Sequence, residues 1–75
     1  MIVDARGLRC PLPVIRLAAA ARDLAPGDQV EVRWTDVAAR HDIPAWARMR
    51  GHTVLETQSL EEGWSTTVQI GAPAP

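Results

Sequence analysis

The chain has 75 residues, and a domain of that length buries only about 60% of its unfolded surface, so it holds one thin core and little room for an enclosed site. Its formal net charge of -1 gives no broad electrostatic footprint for nucleic acid, and its eight basic residues are all Arg, which removes lysine nucleophiles and Schiff-base chemistry. One cysteine excludes an internal disulfide, so any sulfur exchange needs a thiol on another molecule.

Ile2 to Ala5 reads as a short strand, with Gly7 as a turn. From Pro11 to Leu24 the pattern becomes helical: Val14, Leu17, Ala18, Ala21 and Leu24 recur at spacings of three and four, while Arg16, Arg22 and Asp23 fall off that face. Leu24-Ala25-Pro26-Gly27 is a stop signal. Gln29 to Thr35 alternates, with Val30, Val32 and Trp34 on one side and Gln29, Glu31, Arg33 and Thr35 on the other, a half-buried strand with one wet face. Asp36 suits an N-cap or turn. Asp42-Ile43-Pro44 signals the start of a second helix, ending near Arg50 at Gly51, with Ile43, Trp46 and Ala47 as its apolar face.

His52 to Gln58 reads as a strand of mixed alternation, and Glu61-Glu62-Gly63 as a turn. Trp64, Thr66, Val68 and Ile70 alternate along a last strand, and Gly71 to Pro75 reads as a frayed tail. The order β-α-β-α-β-β predicts an α/β fold, a two-layer α/β sandwich with a four-stranded mixed sheet and both helices on one face. Residues 1–75 read as a single domain. No apolar run approaches the roughly 20 residues of a membrane span, and Met1 to Asp4 lacks the character of a signal peptide, so the expected compartment is the cytoplasm.

The segment Gly7-Leu8-Arg9-Cys10-Pro11-Leu12-Pro13 carries the chemistry. Cys10 is expected at the N-cap of the first helix and Pro11 at its first position, where a missing N–H costs nothing. Pro13 removes another N–H, leaving the donors of Leu12 and Val14, and a Cys10 thiolate is expected to accept from Leu12. The positive helix end, with Arg6 and Arg9 nearby, predicts a thiol pKa lowered from ~8.5 to roughly 7–8 or below. Cysteine by itself reads as a small buried hydrophobe, but two prolines opening a helix beside it favour a reactive thiol. No general base is evident: His41 and His52 are distant and read as surface or turn residues, and one Cys with two His matches no zinc spacing. Arg6, Arg9, Arg16, Arg40, Arg48 and Arg50 read as ordinary solvated charges, with Arg6, Arg9 and Arg16, those near Cys10, as candidates for docking an acidic partner. Trp34, Trp46 and Trp64 read as core.

Asp4-Ala5-Arg6-Gly7-Leu8-Arg9-Cys10-Pro11-Leu12-Pro13 resembles the Cys-Pro-x-Pro signature of the TusA/SirA-like sulfur-carrier family. Leu24-Ala25-Pro26-Gly27-Asp28 resembles the family's turn before the second strand, and the stretch from Asp36 through Asp42-Ile43-Pro44-Ala45-Trp46 resembles its second motif. Gly51-His52-Thr53-Val54-Leu55 is also similar to many members. The sequence departs from the pattern at Val37, where Pro is usual, and at His41, where Arg is common, and it lacks the basic end of the last strand seen in tRNA-pathway members. The resemblance implies the same sandwich fold and a persulfide borne on Cys10, with Pro11 and Pro13 shaping the helix start and Asp36 and Asp42 acting as caps. It implies a sulfur-donor protein, a cysteine desulfurase or rhodanese, and a sulfur-acceptor protein in tRNA thiolation, molybdenum-cofactor assembly or sulfur oxidation. The sulfur itself is carried covalently, with no separate cofactor. A redox or regulatory module using Cys10 as a switch, and a small RNA-binding domain, are the alternatives.

Overall fold

The computed structural model describes residues 1–72. Its elements are β1 (Ile2–Asp4), α1 (Leu12–Ala21), β2 (Gln29–Trp34), α2 (Ala39–Arg50), β3 (Thr53–Ser59) and β4 (Trp64–Gln69). They form one four-stranded sheet in the order β1-β2-β4-β3, parallel between β1 and β2 and antiparallel elsewhere. The expected mixed sheet and element order are both present.

The alternation in β2 decides which side is covered. Val30, Val32 and Trp34 are fully buried beneath the helices, with Leu17 of α1, Ile43 and Ala47 of α2 and Val68 of β4. Glu31 and Arg33 lie on the other face, where they pair at 2.8 Å. Both helices therefore share one face of the sheet, and the opposite face is polar. Trp34 and Trp64 are register partners whose rings stack at 4.9 Å between centroids. The Trp34 indole donates to Thr66 Oγ1 at 2.9 Å, so its one polar atom is satisfied inside the core. Arg40 lies over both rings, 5.7 and 5.3 Å from their centroids, a cation–π role and not that of a merely solvated charge.

Several boundaries differ from expectation for local reasons. Helix α1 ends at Ala21 instead of Leu24: the N–H groups of Asp23 and Leu24 bond three residues back, to Ala20 and Ala21, tightening the last turn before Pro26. Helix α2 begins at Ala39, not near Asp42, and Pro44 lies inside it. The residue that opens it is Asp36, whose Oδ1 accepts the N–H of Ala38 at 3.1 Å and whose carbonyl accepts that of Ala39 at 3.0 Å. Gly51 then stops the helix in the left-handed conformation, with φ at 77°.

Strand β3 is an edge, exposed along most of its length, and the mixed alternation of its sequence is a register shift between Val54 and Glu56 that leaves Leu55 bulged. Gly63 turns the chain into β4 at φ 81°, with a Cβ position only 2.3 Å from the Trp34 carbonyl oxygen, so only glycine fits. The tail expected from Gly71 is not loose at its start: Gly71 donates to His52 Nδ1 at 3.0 Å. Residues 73–75 of that tail lie outside the described residues. Among the described residues no helix is long and apolar enough to cross a membrane.

Candidate functional site

Because β1 and β2 are adjacent and parallel, the loops that leave their C-terminal ends emerge side by side. The loop after β1 carries Cys10 and the loop after β2 carries Asp36. The Ala5 N–H extends the strand pairing to the Arg33 carbonyl at 2.8 Å, and two hydrogen bonds then strap the loops together: Gly7 N–H to Thr35 Oγ1 at 2.8 Å and Cys10 N–H to Asp36 Oδ2 at 2.9 Å. The sulfur of Cys10 is half-buried, packed against the edge of the core. Leu12, two residues beyond Cys10, and Val37, next to Asp36, expose apolar side chains.

The helix start differs from expectation. Pro11, not Cys10, occupies the N-cap of α1, and no side chain caps the helix. The N–H of Leu12 bonds the Arg9 carbonyl at 2.9 Å, so it is not available to the sulfur. The Cys10–Pro11 peptide is cis. Pro13 is buried and anchors the first turn, while Leu12 contributes an exposed side chain.

The electrostatics correct the expectation further. Instead of falling to roughly 7–8, the thiol is pushed up to about 11: burial is the largest cause, followed by hydrogen bonding to the Asp42 carboxylate and by the negative charges of Asp42 and Asp36. Each of these favours the neutral form of a thiol. Asp36 stays ionised beside it, held below the usual carboxylate range by the N–H groups of Cys10 and Ala38 and by Arg9. Arg6 does not serve the sulfur, because its guanidinium is engaged by Asp4 at 2.9 and 3.0 Å, an interaction that lowers the Asp4 pKa to about 2. Arg9 and Arg16 are exposed.

Asp42, expected from the sequence only as a cap, is thus a neighbour of the sulfur. It sits in the first turn of α2, four residues beyond the formal N-cap Ala38, and faces Cys10 instead of capping. His41 is exposed on the same helix, and His52 accepts the Gly71 N–H far along the chain, so neither histidine joins the site. What remains is a neutral thiol at the surface, a carboxylate against it, and apolar side chains around it.

The same sandwich recurs in a solved structure, and the sequence matches a known family. The family model described as Sulfurtransferase TusA matches residues 1–70. This chain belongs to the TusA family. It is 47% identical over 57 residues to the sulfur carrier protein TusA of Pseudomonas aeruginosa, covering 76% of this chain and 72% of that protein. It is 44% identical over 57 residues to TusA of Pseudomonas putida, covering 76% and 71%. The crystal structure of a SirA-like protein from Desulfitobacterium hafniense superposes with a TM-score of 0.82 at 31% identity, covering 96% of this chain and 100% of that one. A sulfur-carrier role follows from the TusA family. Within this TusA domain Val37, the neighbour of Asp36 in sequence, is an exposed apolar side chain at 63% exposure.

Proposed function

We propose that Cys10 is the atom that holds the travelling sulfur, as a persulfide taken from a donor protein and given up to an acceptor protein. The observation that carries this reading is the placement of the only sulfhydryl: half-buried at the C-terminal edge of the β1/β2 pair, where a partner's sulfur can reach it. In the loading step the Cys10 sulfur attacks the outer sulfur of the donor persulfide. The donor's S–S bond breaks, a new S–S bond forms on Cys10, and the donor leaves as a thiolate. The Cys10 proton departs as the bond forms and ends on that leaving thiolate, with the Asp42 carboxylate placed to relay it.

The resting thiol, with its pKa near 11, is a poor nucleophile by itself, so transfer awaits a docked partner. A persulfide spreads its charge over two sulfurs and is more acidic than a thiol, so the loaded form ionises more readily in the same site. Unloading is the same exchange in reverse, with a downstream thiolate attacking the outer sulfur. A cysteine desulfurase or a rhodanese is the class of donor, and the acceptor serves tRNA thiolation, molybdenum-cofactor assembly or sulfur oxidation. A lone free thiol used in this way suits a reducing compartment, the cytoplasm.

Mass spectrometry after incubation with a cysteine desulfurase and cysteine tests the assignment. One added sulfur, about 32 Da, is expected on the peptide containing Cys10 and absent from Cys10→Ser. Loading that persists in the serine variant sinks the proposal, as does an adduct of oxygen atoms alone, which marks a redox switch.

A further inference from the structure

The two helices leave a groove between them that starts beside Cys10 and runs toward their C-terminal ends. At the Cys10 end it is a cleft of ≈ 280 Å³ walled by Pro11, Val14, Asp42, Ala45, Trp46 and Met49. Trp46 also walls a second cleft, of ≈ 290 Å³, together with Ala18, Ala21, Arg22, Arg50 and His52. The first cleft is mostly apolar. The second keeps an apolar floor of Ala18, Ala21 and Trp46 but carries two guanidinium groups and an imidazole.

Arg22 and Arg50 come from the ends of different helices and are both exposed. Neither takes part in the two ion pairs found among the described residues, Arg6–Asp4 and Arg33–Glu31. Each complements the negative end of its own helix, which accounts for its sign. That does not account for their meeting in one cleft with a further donor. His52 Nδ1 accepts the Gly71 N–H, so the neutral ring carries its proton on Nε2. Its ring rests against Trp46 at 4.9 Å between centroids. On a chain whose net charge is -1, two unpaired cations concentrated in one cleft mark a local preference for an anion.

We infer that the cleft between Arg22 and Arg50 receives the carboxylate of an acidic side chain on a protein that exchanges sulfur with this carrier. This rests on the reading of Cys10 as a site of exchange between proteins. A free inorganic anion uses only the charged end of the groove. A polypeptide uses all of it: an apolar stretch against Pro11, Val14 and Met49, then an acidic residue between the two guanidinium groups, where charge-assisted hydrogen bonds are strong and directional. Such a contact selects partners and speeds their encounter without touching the sulfur chemistry.

The test is a titration of the full-length, ¹⁵N-labelled protein, followed through the Trp46 indole and the Arg22 and Arg50 Nε–H signals. The probes are a capped Leu-Ala-Leu-Glu-Glu peptide, the same peptide with Gln in place of Glu, and inorganic phosphate. The Glu peptide is expected to shift these signals saturably, and the Gln peptide to bind at least about tenfold more weakly. The Arg22→Gln/Arg50→Gln variant should lose that preference, whereas Arg48→Gln, exposed on α2 and outside the cleft, should keep it. Equal binding of the two peptides overturns the inference without recourse to any variant. So does the absence of saturable shifts up to about 10 mM, a range in which weak contacts still register. Phosphate shifting the same signals as tightly as the Glu peptide also overturns it, in favour of a free-anion site. Sulfur loading plays no part in the readout, so failure here is separate from failure of the Cys10 assignment.

Discussion

The carboxylate of Asp36 accepts the backbone N–H of Cys10 at 2.9 Å across 26 positions of sequence. Its other oxygen accepts the N–H of Ala38 at 3.1 Å. One side chain therefore ties the cysteine loop to the start of α2, the helix that brings Asp42 against the sulfur. The geometry around Cys10 depends on a residue in a different loop, reachable only because β1 and β2 run parallel and adjacent.

Asp36→Ala should lower the melting temperature, by roughly 4–8 °C for each kcal/mol the two contacts contribute in a domain this small. Asp36→Asn, which keeps one acceptor oxygen, should lose less. The pH dependence has a definite sign. The Asp36 carboxyl titrates below its ordinary value in the folded protein, so its contribution is present above the unfolded pKa of about 4 and disappears as pH falls through the lower folded value. Thermal melts of wild type and Asp36→Ala should therefore converge on acidification below pH 4. Equal melting temperatures at pH 7 would show that the link is not stabilising.

The sulfur itself should titrate high. With its pKa at about 11, roughly one Cys10 thiol in a thousand is ionised at pH 8, and iodoacetamide should react slowly until the solution is strongly alkaline. Asp42→Asn removes the hydrogen bond and one of the charges while leaving burial, the largest cause, in place. The alkylation midpoint should move down without reaching the free-cysteine value, and the rate at pH 8 should rise by about tenfold for each unit of that movement. Stability carries the matching sign: a folded pKa raised from an ordinary 9.0 means that the thiol's contribution is complete below that value and is lost as pH climbs toward 11. Cys10→Ser should lack that alkaline decline. Superimposable alkylation profiles for wild type and Asp42→Asn would remove the carboxylate from the account of the site.

The fold was legible because its signals are local. Val30, Val32 and Trp34 alternate strictly, Pro26-Gly27 and Gly51 punctuate cleanly, and the two-layer sandwich follows from those alone. The position of Cys10 was equally plain from the prolines around it. Its ionisation was not, because the deciding groups come from elsewhere in the chain: Asp36 and Asp42 lie 26 and 32 positions on, brought to the sulfur by strand adjacency and helix packing. Nor is the Leu12 N–H free at the helix end, because a tight turn onto the Arg9 carbonyl consumes it. At α2 the proline misled in the opposite direction. Pro44 has the look of a start signal, but Asp36 begins the turn earlier, and the helix tolerates the proline in its second turn.

The buried polar chain in the core makes the last prediction. Trp34 is fully buried, and its indole N–H has Thr66 Oγ1 as acceptor at 2.9 Å; Thr66 in turn shares a hydrogen bond of 3.0 Å with Thr57. Thr66→Val keeps the shape and the strand preference but leaves the indole N–H without its partner, a loss expected to be about 1–3 kcal/mol. Thr57→Val removes only the outer bond, on an exposed edge residue whose backbone stays in place, and should lose no more than about 0.5–1.5 kcal/mol. Denaturant unfolding of the two variants, with m-values checked for constancy, orders them directly. The chain of bonds implies that Thr66 matters more because it serves Trp34, whereas Thr57 serves only Thr66. A larger loss for Thr57→Val, or a Thr66→Val variant as stable as wild type, would mean that the indole does not depend on the Thr66 hydroxyl.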